Sequence, residues 1–149
     1  MSILQGATTS FKVQLLQGVH NFGPTSPDTF KVALYTASAD INASTTAYSS
    51  TNEVTGTGYT AGGNTLTIDV SPTSGNNSSN IPTAYISFSN TSWTSASFTA
   101  RAALIYNDSA TGNPSVAVLD FGADKTVSND TFQIIFPTPD ANSAIVRIV

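Results

Sequence analysis

The stretch "SFTARAALIYN", Ser97–Asn107, reads at a period of two. Phe98, Ala100, Ala102, Leu104 and Tyr106 fall on one face and Arg101 on the other. Successive side chains of a strand point to opposite sides, so this alternation predicts a β-strand with one face against a core. The same period runs outward in both directions. "TFKVALYTA" from Thr29 sets Phe30, Val32 and Leu34 against Lys31, Ala33 and Tyr35. "TLTIDV" sets Leu66, Ile68 and Val70 against Thr67 and Asp69, and "TAYISFS" sets Ala84, Ile86 and Phe88 against Tyr85 and Ser87. "SVAVLDF", "TFQIIFP" and "SAIVRIV" bring the predicted strands to seven.

Turn-forming residues separate these runs: Pro72–Pro82, Asn107–Pro114, Gly122–Asp130 and Pro137–Asn142. Ser38–Gly63 has no firm periodicity and reads as an extended loop carrying at most a short edge strand. One helix is expected, over about residues 9–20. Phe11, Leu15, Val19 and Phe22 form its apolar stripe, and Thr8, Thr9 or Ser10 caps its start. Gly18 weakens its last turn and "GPTSP", Gly23–Pro27, stops it. The expected fold is all-β: an antiparallel β-sandwich or jelly roll with one short N-terminal α-helix, in a single domain over 1–149. Strand does not alternate with helix, which argues against a parallel α/β sheet.

Composition narrows the function classes. Hydrophobic residues make up 40% of the 149, enough for a packed core, but charged residues only 9%, against about 25% in ordinary domains. Ser, Thr, Asn and Gly keep the surface wet instead. The net charge is −4 and the five Lys and Arg are scattered, so there is no basic patch for nucleic acid or an anionic membrane. With no cysteine, disulfides, thiol catalysis and Cys-type metal sites drop out. No apolar run reaches the length of a membrane helix, and "MSILQGATTSF" lacks the basic and apolar regions of a secretory signal.

Few residues are candidates for chemistry. "EVTGTGYTAGGNTL", Glu53–Leu66, carries Gly56, Gly58, Gly62 and Gly63 and approaches a phosphate-cradling loop. Its third glycine falls late, no Gly-Lys-Ser/Thr follows, and a strand rather than a helix comes next, so it reads as a backbone turn. Glu53 is the sole glutamate. Asp28, Asp40, Asp108, Asp124, Asp130 and Asp140 read as turn residues that bond their own backbone. Asp69 and Asp120 lie within strands and could pair with Arg101 or Arg147. His20, the one histidine, would sit at the helix end as a cap or packing residue. "GADKTVSND" is acidic but lacks the spacing of a calcium loop. Trp93 with Tyr48, Tyr59 and Tyr85 could form a sugar-stacking platform, or Trp93 could plug one end of the sandwich. No catalytic, cofactor-binding or metal-ligating residue is assigned, nor any partner-contact residue.

The blocks from Thr29 to Ile68, "FTARAALIYND" and "VAVLDFGADKTVSNDTFQIIFPTPDANSAIVRI" together resemble a widespread family of small proteins encoded by tailed bacteriophages. The resemblance runs from "TTSFKVQLLQGVHNF" to the C-terminus. It implies a virion structural protein that is not an enzyme, assembled in the bacterial host cytoplasm and needing no cofactor. The expected role is capsid decoration, cementing the major capsid protein. Neck, tail or fibre attachment and a carbohydrate-binding module are the alternatives. The expected partners are the major capsid protein or other virion proteins and further copies of the chain, with neither nucleic acid nor membrane.

Overall fold

The computed structural model describes residues 2–149. Eight strands and one helix follow in the order β1 (Gly6–Ala7), α1 (Thr9–Leu16), β2 (Phe30–Tyr35), β3 (Asn64–Leu66), β4 (Ile68–Asn76), β5 (Pro82–Phe88), β6 (Thr91–Asn107), β7 (Ser115–Ile134) and β8 (Val146–Ile148). They form two antiparallel sheets, β1-β7-β6-β2-β3 and β4-β5-β8. The all-β sandwich with one short helix is therefore the observed fold.

The helix is shorter than its apolar stripe predicts, and its limits have local causes. The Thr8 hydroxyl accepts the Phe11 N–H at 3.3 Å, as an N-cap should. At the other end Gly18 takes φ +71°, which L side chains adopt at a cost. There the Val19 N–H donates to the Gln14 carbonyl and the Gly18 N–H to the Leu15 carbonyl, the paired bonds of a Schellman turn. Gly18 ends the helix rather than weakening it, and Val19, His20 and Phe22 lie beyond. Phe11 and Phe22 are both buried, but one reaches the core from a helix and the other from a loop.

Two turn assignments are overturned. Gly122–Asp130 is not a turn: it lies inside β7, which runs for 20 residues as the partner of β6. Within Pro72–Pro82, only residues 77–81 turn, since β4 continues to Asn76. "TLTIDV" divides between β3 and β4, which belong to different sheets. β1 was invisible to periodicity because it is 2 residues long.

The Phe98–Tyr106 alternation is broken as well. Ala100 pairs with Lys125, but Ala102 pairs with Asp120, so residues 121–124 bulge opposite Arg101. Across this break the faces exchange. Phe98, Ala100, Ala103 and Ile105 join the larger core, while Ala102, Leu104 and Tyr106 join a smaller one behind the sheet. β2 reads as its sequence predicts, with Phe30, Val32 and Leu34 in the larger core and Ala33 and Tyr35 in the smaller. The five-stranded sheet is thus buried on both faces at its centre. The second sheet and α1 contribute Ile86, Phe88 and Phe11 on one side. On the other, Ala39, Ile41 and Tyr48 of the long loop cover it.

That loop needs close backbone packing. Gly63 takes φ +73°, and a Cβ there would sit 1.8 Å from the Val32 carbonyl oxygen. Gly62 takes φ +93°, but its Cβ would meet nothing nearer than the Tyr106 hydroxyl at 3.4 Å. Gly62→Ala should cost about 1–2 kcal/mol, the strain of a left-handed L residue. Gly63→Ala must also move β2 and should cost about 4 kcal/mol or more. Urea unfolding of the two variants checks the difference; equal losses would show that backbone approach at Gly63 is not the constraint.

Candidate functional site

The polar groups that the fold buries gather in two places. The first is the glycine stretch itself. Glu53 is buried, although Tyr35 pairs with it only as an isolated bridge at the edge of β2. Its Oε1 accepts the Tyr59 hydroxyl at 2.6 Å and the Gly62 N–H at 2.7 Å, and its Oε2 accepts the Tyr48 hydroxyl at 2.7 Å. One carboxylate thus ties three points of the loop. The Tyr59 hydroxyl in turn accepts the Leu34 N–H at 2.8 Å, and the Val54 N–H donates to the Leu34 carbonyl at 2.9 Å. Together they complete the hydrogen bonding of β2 where β3 has ended. Tyr106 donates to the Gly62 carbonyl at 2.7 Å and stacks on Tyr48 at 4.6 Å, and Tyr35 donates to the Ser49 carbonyl at 2.7 Å.

This surrounding alters the phenols. Burial, and next the hydrogen bond to Glu53, pushes Tyr48 up to about 12 and raises Tyr59 further. Burial raises Tyr35 and Tyr106 too, helped by the charge of Glu53 on Tyr35 and of Asp108 on Tyr106. Such groups are donors that hold their protons. The cluster's chemistry is that of a clamp: a fixed anion surrounded by committed donors.

The second place is the segment after α1. The His20 ring lies 5.0 Å from Phe11 and stacks at 6.4 Å on Phe22 and 6.3 Å on Phe30. Its Nε2 meets Gln14 Oε1 at 3.0 Å and its Nδ1 meets Asn107 Nδ2 at 3.2 Å. Asn107 Nδ2 also donates to Asp28 Oδ2 at 2.7 Å. Burial lowers the His20 pKa, against the opposing pull of Asp28. Of the two roles that the sequence suggests for His20, packing is the one observed; it is not a cationic helix cap, because the helix has already ended at Leu16. Beside it opens an apolar cleft of about 360 Å³. Leu15, His20 and Phe22 form one wall, and Ala84, Tyr85, Ile86, Val146 and Ile148 the other.

The remaining sequence candidates are dispersed. Arg101 pairs with Asp124 at 2.9 Å, neither with Asp69 nor with Asp120. Asp120 instead accepts the Gly122 N–H at 2.8 Å, and Arg147 donates to the Asn142 carbonyl. Asp140 caps its own turn through Asn142 and Ser143, as expected of a turn aspartate. The aromatic platform does not assemble. Trp93 is 4% exposed, between Tyr59 and Phe132, while Tyr48 lies with Tyr106 and Tyr85 faces the cleft. Among the described residues no three His, Asp or Glu side chains converge as a metal site. Asn107, the hub of the second cluster, was not singled out in the sequence. It is the last residue of β6 and precedes a turn, where asparagine is unremarkable. Glu53 offered a better signal: a lone glutamate beside Val54 in a chain short of charge.

No protein-family model, curated protein or solved structure matches the chain.

Replacing Glu53 with Gln keeps the shape but removes the charge that three donors share. Hydrogen bonds to a charged group are worth about 1.5–3 kcal/mol each. Glu53→Gln should lose about 2–3 kcal/mol in denaturant unfolding, part of the set being retained by the amide oxygen. The raised phenols also set a pH limit. The folded chain keeps protons there that the unfolded chain releases above about pH 10. Their contribution is whole below that pH and declines as pH rises through about 12 for Tyr48. Phenolate absorbance should show Tyr35, Tyr48, Tyr59 and Tyr106 ionising together with unfolding, not before it.

Proposed function

We propose that the chain is a bacteriophage virion structural protein, a decoration protein that attaches to the major capsid protein. The observation that carries this reading is an apolar surface on neighbouring elements. On α1, Leu16 is 93% exposed and Val13 51%; in the β8 region Ile148 is 58% and Val149 73% exposed. α1 and the β8 region share clefts lined by Leu15 with Ile148 and by Lys12 with Val149. Exposed apolar clusters on a folded domain mark contact with another protein. The sequence resemblance supplies the kind of partner. Low charge supports the same reading, since many copies packed on one particle repel each other little.

The attachment is then apolar and centred on α1. Leu16→Asp places a charge where the contact would be buried, and Leu16 contributes almost nothing to the chain's own core. The variant should keep the native melting temperature and load onto particles at least about tenfold less than native protein, a loss of about 1.4 kcal/mol or more. Quantitative gels of purified virions read both loading and native copy number. Unchanged loading of Leu16→Asp overturns the surface assignment. A native copy number matching the portal or tail, far below the capsid protein, overturns decoration in favour of a neck or tail component.

A further inference from the structure

The hydrogen bonds around His20 fix its protonation state by geometry. Asn107 Oδ1 accepts the Ser109 N–H at 2.9 Å and the Ala110 N–H at 3.1 Å. Its Nδ2 donates to the Asp28 carboxylate at 2.7 Å. Both ends of the amide are committed, so the amide cannot be turned round. The atom facing His20 Nδ1 at 3.2 Å is therefore an N–H donor, and Nδ1 must be bare. Nε2 faces the side-chain amide oxygen of Gln14, Oε1, at 3.0 Å and carries the proton. Asn107 and Gln14 thus select one neutral tautomer. A second proton on the ring would set Nδ1–H against Nδ2–H, donor against donor, in a buried place.

What this contact holds is a segment, not a side chain alone. From Gly18 to Asp28 the chain has no regular structure. It is closed on itself by Asn21 N–H to Asp28 Oδ2 and Asp28 N–H to the Asn21 carbonyl, both 2.8 Å. It is tied to the end of β6 by Asn107, through His20 and Asp28. It also forms one wall of the apolar cleft, opposite Ile86 and Val146.

We propose that His20 is a proton-operated latch: protonation breaks its contact with Asn107, leaves Asp28 alone to hold the 18–28 segment to Asn107, and loosens that wall of the apolar cleft. The groups around the ring are few. α1 presents Phe11 and Gln14, β2 presents Phe30, β6 presents Asn107, and the opposite wall of the cleft adds the phenol of Tyr85. Asp28 is the charged neighbour; its attraction for a proton opposes the latch, and burial outweighs it. Lys31 and Asp108, at the same end of β2 and β6, pair with each other at 3.2 Å. Because the folded state disfavours the cation, the latch is whole above the ordinary histidine value of 6.5 and fails as pH falls below it.

Nitrogen-detected NMR of the imidazole and amide hydrogen exchange of the full chain test this between about pH 7.5 and about pH 5, a span across the histidine range. At the upper pH, Nδ1 should be unprotonated and Nε2 protonated. On acidification the Asn21 and Asp28 amides should lose about tenfold or more of their protection, after correction for intrinsic rates, while amides of the β6–β7 hairpin keep theirs. His20→Phe preserves the ring stack without a titrating nitrogen and should show no such loss. The proposal is overturned if Nδ1 carries the proton at the upper pH. It is equally overturned if the ring takes up its proton with segment protection unchanged, or if His20→Phe loses protection as native protein does. The native-chain readouts stand even if the variant does not fold.

Discussion

Burying a sheet on both faces obliges the chain to cover it twice, and most of the architecture follows from that requirement. β2 and the second half of β6 carry apolar side chains on both sides, with Val32, Leu34, Ala103 and Ile105 facing one way and Ala33, Tyr35, Ala102 and Leu104 the other. At about 25 cal/mol for each Å² of apolar surface removed from water, neither face can be left open without losing much of the stability of a small domain. The three-stranded sheet and α1 cover the first. The second falls to the long loop between β2 and β3, which has no regular structure to hold its shape. Its irregular backbone needs polar partners, and the loop's own Glu53, Tyr48 and Tyr59 provide them together with Tyr35 and Tyr106 of the sheet.

The scarcity of charge makes sense in the same terms. A buried carboxylate is costly unless fully hydrogen-bonded, and Glu53 is satisfied by neutral donors rather than by a cation. His20 and Asn107 follow the same rule with amides. Among the described residues two ion pairs occur, Lys31–Asp108 and Arg101–Asp124, both partly exposed, and such pairs contribute little. Among the described residues the exception inside is Trp93, whose Nε1 is buried without a partner between Tyr59 and Phe132. An unmet buried donor costs about 1–3 kcal/mol, which ring packing has to offset. The interior is thus specified by fixed hydroxyl and amide geometry more than by charge pairing.

Local periodicity made the fold class legible because strands and their faces are local properties. Phe30–Tyr35 was readable on both faces, and so was the Asn107–Pro114 turn, which joins β6 to β7. Most failures are cases where a distant partner decides. Gly122–Asp130 has the composition of a turn but is held as strand by pairing with β6, and the bulge opposite Arg101 depends on register that one strand cannot announce. Leu15, Val19 and Phe22 kept a helical spacing past the glycine that stops the helix, since Phe22 is buried by contact with Phe30 at 4.3 Å rather than by helix continuation. The Glu53 cluster joins Tyr48, Tyr59 and Gly62 of one loop to Tyr35 and Tyr106 of the sheet, and the His20 cluster joins residues 87 positions apart. Neither leaves a motif in sequence.

The sheet edges bear on how such a domain can meet a neighbour. β1 spans 2 residues, β3 spans 3 and β8 spans 3, too short to template a further strand of any length. β4 is longer, but it carries Asp69 and Pro72 and shifts register against β5 between Ile68 and Val70 and again before Thr73. Charge, proline and bulges are the devices that keep an edge from pairing with another chain. β7 has no outer partner from Leu119 to Ile134, since β1 covers only Ala117 and Val118, but there the 121–124 bulge and the charges of Asp120, Asp124, Lys125 and Asp130 play the same part, while Leu16 stands on α1 almost wholly in solvent. What the surface offers instead is exposed apolar side chains, Val13 and Leu16 on α1 and Ile148 and Val149 in the β8 region among them. For the decoration role proposed above, such edges would let copies lie close together without one copy's sheet propagating into the next.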